Sequence, residues 1–385
     1  MRYIFKKHWK RFFVSIFDFA GRVFVLPFRV FAPKPFPKEI KRILIIRLDH
    51  IGDVIYATSI PRNLKLNFPG VRITFLVGSW AKDILTDNPY IDEIICFDAP
   101  WFDRSPKKSF TLGKFRRLAK QLRQYHFDLG FDLRGDLRHI LLMYVAKVKY
   151  RVGYGVTGGD FILNRCVDYD ENTHALERNL ALLRSLNIAI ASDRLQIDNI
   201  KTDRAELNLF LKKNHLSESD TIVLMHPCAG TRAKNWRNVR FTELADILAR
   251  EFAAKVLFVG SSKDRAEVET IVSIAKSGPL NVTGETSLSF LLTLIKKAKL
   301  FVGVDSGPSH LAASLGIPTV VLYSGTNKAA SWAPRGNKVV VIQKEVACKE
   351  CEQEECIDAK CMDLISVQDV LQAVRNALEK EKEGS

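Results

Sequence analysis

The chain has 385 residues, too many for one ordinary domain and enough for two of about 150–180 residues plus extensions. Hydrophobic residues at 47% and charged residues at 26% are ordinary for a globular protein that buries real cores, but the net charge of +15 is not, and it implies an anionic partner: nucleic acid, an acidic membrane surface or a phosphorylated substrate. Three of the seven cysteines (Cys96, Cys166, Cys228) are scattered and four crowd between 348 and 361, which excludes a secreted disulfide framework and makes a cytoplasmic location the expectation.

The charge is unevenly placed. Residues 1–40 hold nine Lys and Arg (Arg2, Lys6, Lys7, Lys10, Arg11, Arg22, Arg29, Lys34, Lys38) against Asp18 and Glu39, a net of +7, together with nine of the 24 Phe. Basic residues interleaved with Phe and Trp9 suit an anionic membrane interface better than a nucleic-acid groove, and no nucleic-acid motif appears, so nucleic acid is not an expected partner. No apolar run here nears the ~20 residues that a membrane span needs. No small-residue cleavage site follows, so a secretory signal is not expected.

Residues 8–26 read as an amphipathic helix. Arg11, Ser15, Asp18 and Arg22 form a narrow polar stripe, and Trp9, Phe12, Phe13, Ile16, Phe17, Phe19, Val23 and Phe24 cover the rest. Pro27 is expected to stop it, and 32–39 to be a stiff linker. Two readings stay open: a monotopic anchor lying in the cytoplasmic leaflet, or a helix packed on the body of the protein or on a partner chain.

From Arg42 strands and helices alternate. RILIIR (42–47) predicts a buried strand, followed by a helix from about Asp53 to Asn67. RITFLVG (72–78) is the next strand, then a helix from Ala81 and the short strand EIICF (93–97). A basic segment (107–124) precedes the strand LGFDL (129–133), and 173–186 looks helical. After a polar crossing at 187–203 the texture repeats. Strands are expected at 221–227, 255–260, 280–284, 300–305 and 319–325, with helices at 241–252, 264–276, 288–298 and 310–316 and a last one at about 366–382. Such alternation implies α/β domains with doubly wound parallel sheets covered on both faces. The expected division is 1–40 as extension and linker, 41–200 and 201–365 as two α/β domains, and 366–385 as a C-terminal helix and tail.

Three segments have the chemistry of a ligand site. In RLDHIGDVIYATSIP (47–61), Gly52 permits a tight turn and Asp53 falls at a helix start beyond the carboxyl end of a strand, where open parallel sheets place ligands. Asp is also a favoured helix cap, and on spacing alone both readings stand. No G-x-G-x-x-G occurs, which counts against a dehydrogenase. In HPCAGTRAKNWRNVRF (226–241), Thr231, Arg232, Lys234 and Arg237 on a small-residue loop suit a polyphosphate, or else form a solvated basic loop. In VGVDSGPSHLAASLG (302–316) a strand ends in Asp305, a turn Ser306-Gly307-Pro308-Ser309 follows, and a helix is expected to open at His310. Free amides there, with the Ser306 and Ser309 hydroxyls, would hold an anion without a metal. The alternative is that Asp305 caps and Gly307 turns. A fourth segment, C-x2-C-x4-C-x4-C (Cys348, Cys351, Cys356, Cys361), has the ligand count of a structural zinc site, though its closing spacing is tight. Reduced or disulfide cysteines are the other reading.

GDVIYATSIP (52–61), FDLRGDLRH (131–139) with RVGYG (151–155), HPCAG…KNW (226–236) and DSGPSHLAASLGIPTVVLYSGT (305–326) together resemble glycosyltransferase family 9, the heptosyltransferases of the lipopolysaccharide inner core. The resemblance runs from about Arg42 to Leu378. It implies a GT-B architecture of two facing α/β domains with a cleft between them, ADP-heptose as donor, a lipid-linked anionic core acceptor, inversion at the transferred sugar, and no cofactor for catalysis. Carried over by position, it implies Asp53 as general base and Lys234, Thr231, Asp305, Ser306, Gly307 and His310 as donor-binding residues. Asp264 (or Ser262) would meet the donor ribose. Arg47, Arg62 and Arg134, with Lys107, Lys108 and Arg138 as further candidates, have the charge to receive the acceptor, or else are solvated surface cations. Cys228 stands where the family often has Gly. The expected setting is peripheral association with the inner face of the cytoplasmic membrane. Another nucleotide sugar or surface-glycan acceptor, and a non-catalytic membrane adaptor, are the alternatives.

Overall fold

The computed structural model describes residues 3, 8–31, 35–102, 111–197 and 203–383. The chain divides into two compact units, Met1–Gln196 and Ile197–Ser385.

The first unit begins with helix α1 (His8–Phe31). Then follow β1 (Arg42–Arg47), α2 (Ile51–Ala57), α3 (Ser59–Asn67), β2 (Arg72–Val77), β3 (Glu93–Cys96), α4 (Leu112–Arg123), β4 (Leu129–Asp132), α5 (Leu137–Val145), β5 (Tyr150–Tyr154), β6 (Arg165–Val167) and α6 (Ala175–Arg184). The strands form one parallel sheet in the order β3-β2-β1-β4-β5-β6. Ile43 through Ile46 are fully enclosed, as a continuous apolar run requires when helices cover both faces. The chain leaves β1 for β2 on one side and later returns to β4 on the other. The β1/β4 boundary is therefore a topological switch point, where the strand ends splay and admit ligands.

The second unit runs α7 (Arg204–Lys213), β7 (Thr221–His226), α8 (Asn238–Phe252), β8 (Ala254–Phe258), α9 (Arg265–Val272), β9 (Leu280–Asn281), α10 (Leu288–Lys297), β10 (Leu300–Val304), α11 (Gly307–Ser314), β11 (Thr319–Leu322), α12 (Ala329–Trp332), β12 (Val339–Ile342), α13 (Lys360–Asp363) and α14 (Val367–Glu383). Its parallel sheet, β12-β11-β10-β7-β8-β9, has the winding of the first, with the switch point between β7 and β10. Trp236 is buried edge-on against Phe241 at 5.0 Å and donates its Nε1 to the Ile365 carbonyl at 2.9 Å, pinning the loop after β7.

Several expected boundaries shift for local reasons. Helix α1 does not stop at Pro27. The helix continues through it to Phe31, although proline removes one hydrogen bond and crowds the carbonyl four residues earlier. The helix expected at 53–67 is two, broken at Thr58, because Pro61 lacks the N–H that would continue the ladder. Ser79–Ile84 forms a 3-10 turn in place of the helix expected from Ala81. Helix α11 opens at Gly307 rather than His310, since Pro308 falls where a helix needs no donor. Strands β5, β6 and β12 and helices α4, α5, α7, α12 and α13 were not anticipated. Lys107 and Lys108 lie outside the described residues.

Candidate functional site

In the first unit, the ends of β1 and β4 carry a chain of alternating charges. Arg47, the last residue of β1, is 5% exposed. Its guanidinium donates to Asp53 Oδ1 at 2.5 Å and to the Leu133 carbonyl at 2.5 Å, and its Nε lies 2.7 Å from Asp49 Oδ1. Asp49, fully enclosed, accepts Arg134 Nη1 on its other oxygen at 2.6 Å. Burial works against both charges. Even so, Arg47 and Arg134 hold the Asp49 carboxyl below its ordinary range, and Asp49 and Asp53 raise Arg47 above its own. Asp53 is not a helix cap. It is the third residue of α2, whose cap position is His50, and its side chain turns to Arg47. An acid in the first turn also meets the positive end of the helix. Gly52 sits inside that turn, and no tight turn depends on it.

The loop after β4 is held from beneath. Asp132 accepts the Gly135 and Asp136 amides on Oδ2 at 3.0 and 2.8 Å, and His139 Nδ1 lies 2.9 Å from its Oδ1. Gly135 has φ +84, and a Cβ there would lie 2.8 Å from the Tyr154 carbonyl, so only glycine fits. Asp136 caps α5 and grips Arg138 through both oxygens. Burial raises its carboxyl, but the Arg138 bonds and the neighbouring His139 bring it down to about 2. Arg134 and Arg138 lie over the Phe102 and Trp101 rings at 4.3 and 4.2 Å. Arg178, buried beneath the Tyr169 ring at 4.9 Å, adds a further guanidinium. Burial lowers it, and Arg47 adds to that effect.

In the second unit, Lys234 Nζ donates to Asp305 Oδ2 at 2.6 Å, with His310 Nε2 3.8 Å from Oδ1. Asp305 is 8% exposed. Burial raises its carboxyl, but the His310 bond and the Lys234 charge hold it below the ordinary range. Asp305 does not cap α11, because Ser306 occupies the cap position. Asn327, with its amide turned to satisfy its neighbours, accepts Lys234 Nζ through its oxygen at 2.9 Å. The Gly307 and Ser309 amides precede the first intrahelical bond, which His310 N makes to the Ser306 carbonyl. Thr231 Oγ1 is enclosed and has no hydrogen-bond partner among the described residues. His226, at the end of β7, is bound to the Val259 carbonyl, and burial lowers its imidazole below the ordinary range.

The local geometry bears on four expectations. Arg47 is enclosed and engaged on several sides, so it orients Asp53 and is not exposed to an acceptor. Ser309 is fully buried and donates to the Val304 carbonyl at 2.6 Å, which removes its hydroxyl from an anion site. Asp264 closes a capping box with Ser261 through Oδ2, which braces the turn before α9. The four clustered cysteines do not converge. Cys348 and Cys356 are exposed, Cys361 is buried against Gly325, and no metal-binding group forms among the described residues. Arg62, on α3, is half-buried. Sequence reading had missed Asp49 and Arg178. Asp49 stands in the segment already singled out, whereas nothing local marked Arg178.

Two parallel α/β units of this winding are the GT-B architecture of the heptosyltransferase structures. The fold is similar to Escherichia coli ADP-heptose lipopolysaccharide heptosyltransferase II (TM-score 0.73, 24% identity, 89% of this chain and 99% of that one). It is likewise similar to a glycosyltransferase family 9 protein of Veillonella parvula (TM-score 0.76, 22% identity, 89% and 98%). An E. coli heptosyltransferase WaaC solved with ADP has a TM-score of 0.67 at 16% identity over 87% of this chain and 99% of that one. In sequence, the chain is 27% identical to the lipopolysaccharide core heptosyltransferase OpsX of Haemophilus influenzae over 82% of this chain and 88% of that protein. It is also 27% identical to lipopolysaccharide heptosyltransferase 2 of Salmonella typhimurium, over 88% and 99%. Residues 115–362 match glycosyltransferase family 9 (heptosyltransferase), and the chain belongs to that family.

Proposed function

We propose that the chain is an inverting heptosyltransferase that moves a heptose from ADP-heptose to a lipopolysaccharide inner-core acceptor at the cytoplasmic face of the membrane. Family membership and the names of its relatives support the sugar and the acceptor class, and the structure of WaaC with ADP supports the nucleotide. The observation that carries the reading is Asp53: a carboxylate at a sheet switch point, 11% exposed, oriented through Oδ1 by an enclosed arginine.

In this reading the first unit receives the acceptor and the second the donor. The acceptor hydroxyl oxygen attacks the anomeric carbon from the face opposite the diphosphate. Asp53 takes its proton, the new C–O bond forms as the sugar–phosphate bond breaks, and ADP leaves with the electron pair. A single displacement needs one base and no covalent intermediate, and such a base contributes about 10²–10⁴-fold. Lys234 and the free amides of α11 meet the charge that grows on the diphosphate, with Ser306, Gly307 and Thr231 lining it. Asp305 holds the Lys234 ammonium in place, and His310 flanks the same carboxylate. Arg134, 31% exposed, and Arg62 receive acidic groups of the acceptor.

The test is incubation of the chain with ADP-heptose and a heptose-free core lipid, followed by mass spectrometry of the lipid, with UDP- and GDP-sugars in parallel. The reading expects a mass gain of one heptose with the ADP donor alone. Transfer only from a UDP- or GDP-sugar would replace the donor assignment, and no transfer from any donor would overturn the enzymatic reading.

A further inference from the structure

Helix α1 is docked with its polarity reversed. Two members of its polar stripe, Asp18 and Arg22, engage the protein: Asp18 is 1% exposed, accepting the Gly159 amide at 2.7 Å on Oδ1 and the Tyr3 hydroxyl at 2.7 Å on Oδ2. Arg22 donates to Asp160 at 2.6 Å, and Gly21 lies against the Phe161 ring. The apolar side faces outward, with Phe12, Phe13 and Phe19 at 62%, 63% and 70% exposure beside Trp9, Ile16 and Val23. A soluble surface helix does the opposite, because exposing this many large apolar side chains to water is unfavourable.

We propose that the outward face of α1 lies in an anionic lipid bilayer, with Asp18 and Arg22 setting its orientation. Two observations choose this occupant over a protein. The segment 1–40 carries nine basic residues against two acids, and the acid on the helix is turned inward, so the outward face presents aromatic groups without negative charge. No helix among the described residues is long and apolar enough to cross a membrane, so α1 lies along the surface rather than spanning it.

A second feature borders the Gly159–Ile162 turn on which α1 is docked. Arg151, whose Nε donates to the Ile162 carbonyl, lines a groove of about 690 Å³ with Pro35, Pro37, Tyr144, Val145 and Lys149. Tyr144 and Val145 are 58% and 47% exposed there, beside the exposed Lys149.

The experiment is flotation of the full chain with vesicles of phosphatidylcholine alone and of phosphatidylcholine with phosphatidylglycerol. It needs neither donor nor acceptor, so its outcome is independent of the transfer reaction proposed above. The chain is expected to bind the anionic vesicles and to bind the neutral ones far less. The triple substitution Phe12→Ser, Phe13→Ser, Phe19→Ser should weaken binding by at least about 100-fold, with an unchanged thermal unfolding midpoint, since these side chains leave water only in lipid. Equal binding by the wild type and the triple variant would overturn the proposal, as would equal binding to both vesicle types. A wild-type chain that is dimeric by light scattering, and monomeric in the triple variant, would assign the face to a second copy and overturn it too.

Discussion

Arg47 and Asp53 stand six residues apart, at the end of a strand and in the first turn of the following helix, and meet at 2.5 Å with 7% and 11% of their side chains exposed. The same guanidinium lies against Asp49, which in turn holds Arg134. The carboxylate assigned as the base is therefore set by a relay of charges rather than by helix capping.

Replacing Arg47 with Met should cost about 3–5 kcal/mol of stability, because it leaves Asp49 enclosed with one cation fewer and Asp53 without its described partner. Urea unfolding measures this. A loss below the range of an ordinary surface substitution would show that the relay is not structural.

Lys234→Met should weaken ADP binding about 10–100-fold, the worth of one charged hydrogen bond to a phosphate. Titration calorimetry with ADP reads it directly. Unchanged affinity would remove Lys234 from the donor site and leave it only as the partner of Asp305.

Asp136 sets an acid response. Its folded carboxyl lies at about 2, below the ordinary 3.8, so its contribution is fully present above about pH 4 and is lost as pH falls through about 2. Asp136→Asn keeps the cap acceptor but not the charge. It should lose roughly 2 kcal/mol at neutral pH, with the difference from wild type closing in acid. A gap that is constant with pH in urea midpoints would contradict the charge argument.

Cys348→Ser and Cys356→Ser, at exposed positions, should each change stability by less than about 0.5 kcal/mol. Cys361→Ser, packed against Gly325, should cost about 1 kcal/mol or more. If the exposed substitutions unfolded the chain, a shared metal or disulfide would have to hold them.

The sheets were legible because parallel strands buried on both faces are continuous apolar runs, and RILIIR and TIVLMH announce themselves. That Asp53, Lys234 and Asp305 stand beyond strand ends was legible from such runs, whereas the roles expected of them came from the resemblance to the family. Short strands such as Arg165–Val167 have too few residues to show a pattern. Arg178 was not legible because its significance comes from packing beside Tyr169 rather than from its own segment. Asp264 shows the opposite limit. The resemblance to the family offered it to a ribose, whereas its bond to a serine three residues earlier shows only in the fold. On α1, spacing gave the two faces correctly but not which one meets the protein. That depended on the Gly159 amide, 141 residues away, being a partner for Asp18.

The most direct measurement is single-turnover transfer by Asp53→Asn, paired with its affinity for ADP-heptose. The amide oxygen can still accept from Arg47, so fold and donor affinity should be retained while the transfer rate falls about 10²–10⁴-fold. Transfer at the wild-type rate would contradict the assignment of Asp53 as the base.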